Sequence, residues 1–132
     1  IQQSLLCHDG ILPPSTLAIR LLDHFKRDQA EVVRWAARAI PADYGRFAPW
    51  VFDAASDGDA LACQLLDETC AQLQTLLEGM GLLGADRIAL LGGVGMRLAP
   101  RLGHLNLVPP QADALEGAIL FAQSEAYPCL HP

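Results

Sequence analysis

From Pro13 to Met80, apolar residues recur at the three-to-four spacing of helices that bury one face. Leu17, Ile19, Leu21, Leu22 and Phe25 predict a helix that opens on Ser15 or Thr16 as its cap and ends near Lys26. Gln29 to Ile40 repeats the pattern through Val32, Val33, Trp35, Ala36, Ala39 and Ile40, with Asp28 as cap and Pro41 as breaker. Tyr44 to Ala55 puts Phe47, Val51, Phe52 and Ala55 at helical spacing, with Pro49 in the first turn and a stop at Asp57-Gly58. From Asp59 a long helix carries the stripe Ala62, Leu66, Cys70, Leu73, Leu77 and Met80, widened by Leu65 and Leu76. The glycine-rich stretch from Gly79 to Gly84 ends it.

The period then changes. Arg87-Ile88-Ala89-Leu90-Leu91 is a short apolar run bounded by turn signals, which predicts a strand buried on both faces. Gly92-Gly93-Val94-Gly95 follows directly, then one or two helical turns over Met96 to Leu102, and a second short strand at Leu105-Asn106-Leu107-Val108. Pro109 and Pro110 lead into a helix from about Gln111 to Ser124. Strand, glycine turn, short helix, strand and helix in that order make a parallel α/β layer behind four mostly helical segments.

Composition narrows the function more than the fold. The 132 residues, 52% of them hydrophobic, suffice for one domain with a sizeable core. A net charge of −6 with nine scattered basic residues argues against nucleic acid or an anionic membrane as partner. No stretch reads as a membrane span or a secretory leader, so the expected location is cytoplasmic. The start at Ile1 rather than Met reads as the interior of a larger protein. Cys7, Cys63, Cys70 and Cys129 are spaced too widely for zinc and read as buried free thiols, and Cys129 with His131 falls in a terminal tail rich in Pro.

The glycine turn is the most informative local feature. Between a buried strand and a helix, Gly removes the Cβ that would keep a ligand from the backbone, and nucleotides use such turns. It is neither a Rossmann fingerprint, since Leu98 stands where the third Gly belongs, nor a Walker A loop, since no Gly-Lys-Ser/Thr follows. On spacing alone, a structural turn and a ligand-binding turn both fit. Asp53, Asp57 and Asp59 cluster around Gly58, but not at the spacing of a calcium loop, and Asp57 or Asp59 reads instead as the cap of the long helix. Gly117, with Ala114 and Ala118, predicts a close approach of another element to the last helix. His8, His24 and His104 have no Ser or Cys partner in a nucleophile motif. No residue is assigned a catalytic or metal-binding role.

Three segments in order carry a family likeness. They are Asp43-Tyr44 through Phe47-Ala48-Pro49-Trp50-Val51 with Ala54-Ala55-Ser56-Asp57-Gly58-Asp59-Ala60; Ile88-Ala89-Leu90-Leu91-Gly92-Gly93-Val94; and Pro110-Gln111-Ala112-Asp113-Ala114-Leu115-Glu116-Gly117-Ala118. Their order and separations resemble the C-terminal region of the BadF/BadG/BcrA/BcrD ATPase family, which includes N-acetylglucosamine and glucosamine kinases, over roughly Pro13 to Ala122.

The resemblance implies an α/β, helix-rich fold: residues 1–132 as a single domain, part of the C-terminal lobe of a two-lobed, actin-like (ribonuclease H-like) ATPase with a short parallel sheet, the N-terminal lobe lying outside the chain. It implies ATP and Mg²⁺ in the intact protein, and an amino sugar or hexose as acceptor. Gly92, Gly93, Val94, Gly95 and Met96 are then the candidates for contact with the adenosine of the nucleotide. The family's Asp-Gly-Gly-Gly-Thr-type phosphate loop and its catalytic aspartate have no counterpart, so the chain alone is expected to be inactive, because phosphoryl transfer needs both reactants positioned. A homodimer is compatible with this reading. Two other readings stand beside it: an ATPase activator that feeds electrons to a dehydratase or reductase through an iron–sulfur cluster, and a non-enzymatic helical interaction module.

Overall fold

A computed structural model describes residues 1–103 and 105–123. Two compact units divide the chain, one of residues 1–73 and one from Gln74 onward.

The first unit is built of helices whose ends are closed by their own sequence. Helix α1 (Gln2–His8) precedes α2 (Thr16–His24), in which the Ser15 hydroxyl accepts from the Ala18 amide at 3.1 Å and so caps the first turn. Asp28 does the same for α3 (Gln29–Ala36) through the Glu31 amide at 3.0 Å. A short α4 (Pro41–Gly45) and α5 (Ala48–Ser56) follow, both with Pro in the first turn, where its missing N–H costs nothing. Helix α5 stops as the Asp57-Gly58 signal predicts. Gly58 takes φ +82°, its amide reaches the Ala55 carbonyl at 3.1 Å, and the Asp59 amide reaches Ala54 at 2.9 Å, a Schellman ending.

Two clusters make the core of this unit. Leu21, Leu22, Phe25 and Val32 are buried with Ile1, Leu5, Trp35, Phe47 and Trp50 packed against them. Leu17, Ala54 and Ala62 are buried beneath Trp50, Val51, Ala55 and Leu65. Burying such side chains stabilises by about 1.5–3 kcal/mol each for the larger ones. Rings continue the first cluster: Phe47 lies 5.0 Å from Trp50 and 5.4 Å from Trp35, and Trp35 meets Tyr44 edge-on at 5.0 Å. Helical spacing overreaches at Ile19, Val33 and Ile40, which face solvent.

Helix α6 (Ala60–Leu82) is the long helix expected from Asp59. Ala62, Leu66 and Leu77 of its stripe are buried, Cys70 is half-buried, and Leu76 and Met80 are exposed. Its end is a second Schellman turn, with Gly84 at φ +93° and the Ala85 amide bonded to the Met80 carbonyl at 3.0 Å. The cysteines at 7, 63 and 70 are free and half-buried rather than fully enclosed.

In the second unit the expected parallel sheet is not formed, and with it falls the assignment to an α/β actin-like lobe. Among the described residues there is no strand, only an isolated parallel bridge between Ile88 and Leu107, with the Val108 amide donating to the Ile88 carbonyl at 2.9 Å. The direction of pairing matches the reading of the two apolar runs, but not its extent. The physical reason lies in burial: Ile88 is only half-buried and Leu91 is 56% exposed, whereas a parallel strand requires cover on both faces. Two short segments with no third partner among the described residues make a marginal pair. The glycines that were expected to form a turn instead open helix α7 (Gly92–Leu98), which runs into a 3₁₀ turn (Ala99–Leu102) in which Leu102 is buried, as is Leu98. Helix α8 (Ala114–Gln123) begins three residues later than Gln111; Ser124, where it was expected to end, lies outside the described residues, as do His104, Cys129 and His131.

Candidate functional site

Leu91 is extended and Gly92 follows at φ +80°, a left-handed conformation that a side chain would strain. The backbone then enters α7. A Cβ added at Gly92 or Gly93 would meet nothing within 4 Å, so both glycines border open space. At Gly95 the nearest neighbour is internal, since a Cβ there would make an ordinary van der Waals contact with the Leu90 Cβ at 3.4 Å. Val94 and Met96 are exposed, at 45% and 64%, while Leu98 anchors the far end of the same helix. The five residues expected to meet a nucleotide therefore form one continuous stretch: two bare glycines, a glycine set against Leu90, and two solvent-facing apolar side chains.

The acidic cluster around Gly58 resolves differently for each member. Asp59 is an N-cap whose carboxylate takes five donors. Oδ1 accepts from the Ala62 amide at 2.9 Å and the Ser15 hydroxyl at 3.0 Å; Oδ2 accepts from the Thr16 amide at 2.6 Å, the Thr16 hydroxyl at 2.9 Å and the Leu17 amide at 3.4 Å. One carboxylate thus closes the first turns of both α6 and α2, where unpaired amides and the positive helix ends converge. Burial works to raise its pKa, but the hydrogen bonds from Ala62, Thr16, Ser15 and Leu17 outweigh burial and hold it at about 2. Asp53 is 3.7 Å from the Arg20 guanidinium, which also lies 4.6 Å from the centre of the Trp50 ring. Asp57 is the C-cap of α5. Among the described residues no three His, Cys, Asp or Glu side chains gather as a metal site would require.

Asp113 caps α8 through the Leu115 and Glu116 amides, both at 2.8 Å, and Glu116 reaches back to the Asp113 amide at 3.2 Å, a reciprocal capping box. The close approach expected at Gly117 is not found among the described residues, where a Cβ would meet nothing within 4 Å. Leu115, Ile119, Leu120 and Phe121 of the same helix are exposed.

Sequence reading missed one feature of the first unit, an apolar cavity of about 430 Å³ whose wall includes Tyr44, Phe47, Trp50, Leu61 and Leu65. Tyr44, Phe47 and Trp50 lie in the expected helix and in the first segment of the family likeness, and neither of those readings implies a cavity.

Comparison with known proteins adds what this geometry leaves open: the chain is similar in sequence to an amino-sugar kinase. It is 41% identical over 125 residues to glucosamine kinase GspK of Vibrio cholerae, an alignment that takes in 92% of this chain and 42% of that protein. The chain therefore spans about two fifths of the length of the curated relative it matches. No protein-family profile matches it, and no solved structure gives a significant match. Among the described residues no helix is long and apolar enough to cross a membrane.

Proposed function

We propose that this chain is the C-terminal part of an ATP-dependent amino-sugar kinase, which passes the γ-phosphate of ATP to a hydroxyl of glucosamine or N-acetylglucosamine. The observation that carries the reading is the 41% identity to a glucosamine kinase along nearly the whole chain. At that level the alignment runs through all three segments rather than one motif.

In this reading Gly92 to Met96 border the adenosine of ATP. Gly92 and Gly93 offer backbone with no side chain in the way, and Val94 and Met96 offer apolar surface for a flat base. ATP enters as its Mg²⁺ complex and supplies the phosphoryl group. The residues that grip the phosphates and activate the sugar hydroxyl belong to the remainder of a longer protein, and the chain's own part is binding and orientation.

The test is an assay of the full-length protein with Mg-ATP and glucosamine, N-acetylglucosamine or glucose, following ADP release and sugar phosphate together. Stoichiometric ADP and phosphorylated amino sugar are expected. ADP release that no sugar stimulates would overturn the proposal.

A further inference from the structure

We draw no further inference here: the strongest candidate, the apolar cavity of the first compact unit walled by Phe47, Trp50 and Leu65, has nothing in the structure to show what covers it.

Discussion

Thr16 and Asp59 lie 43 positions apart in sequence, yet both the amide and the hydroxyl of Thr16 donate to the same carboxylate oxygen, Oδ2, at 2.6 and 2.9 Å. With Ser15 and Ala62 on the other oxygen, this contact ties the start of α2 to the start of α6. Each helix would need a cap in any fold; here one side chain serves two.

Asp59→Ala should therefore cost more than the loss of a single cap. An N-cap to alanine change costs about 0.5–2 kcal/mol, so losing the cap of α6 together with the Thr16 and Leu17 bonds at the start of α2, where Ser15 still caps Ala18, should cost about 2–3 kcal/mol. Ser15→Ala should cost about 1 kcal/mol, and the double variant less than the sum, because the two side chains share a bond. Urea unfolding of the three variants checks this. Additive losses would mean that the two caps act separately.

The same carboxylate predicts an acid limit. Its pKa is about 2 in the folded chain against an ordinary 3.8, so the folded state holds the charged form more tightly than the unfolded state. The stabilisation is fully present above about pH 4 and is lost as pH falls through 4 toward 2. In urea midpoints measured between pH 2 and 6, the wild-type slope over that interval should exceed that of Asp59→Asn. Equal slopes would contradict the assignment.

Lys26 and Arg27 hold φ of 53° and 58°, the left-handed region that glycine occupies freely. Lys26 stands where a helix ending prefers Gly, its amide bonded to the Asp23 carbonyl and the next amide to Leu22. Lys26→Gly should raise stability by about 0.5–1 kcal/mol. Arg27→Gly should gain less, since it gives up the ion pair with Asp23 at 2.6 Å. Thermal melts of the two variants separate these cases, and a loss of stability in Lys26→Gly would refute the strain argument.

Gly93→Val tests the nucleotide reading. Open space at that position lets the side chain fit without disturbing the fold, but it would stand where the base is proposed to lie. If the full-length protein is the proposed kinase, its KM for ATP should rise about tenfold, equivalent to about 1.4 kcal/mol, with the KM for the sugar unchanged. An unaltered KM for ATP, with the melting temperature also unaltered, would remove the start of α7 from the proposed site.

Local signals decided the helices. Caps at Ser15 or Thr16, at Asp28 and at Asp57 or Asp59, Pro49 in a first turn, and endings at Asp57-Gly58 and within Gly79 to Gly84 could all be read from neighbouring residues, because capping and left-handed turns involve only a few consecutive positions; the structure selects Ser15, Asp59, Gly58 and Gly84. The order of the three segments was enough to suggest the amino-sugar kinase relationship that the comparison supports. What the sequence could not settle was whether an apolar run would be covered. Ile88-Ala89-Leu90-Leu91 has the composition of an inner parallel strand, but a strand exists only through its neighbours, and only the tertiary structure decided that this one finds a single bridge to Leu107. The same holds for the exposed face of α8 and for the meeting of Thr16 with Asp59. Periodicity and caps are properties of a segment, whereas burial and long-range pairing are properties of what is packed against it.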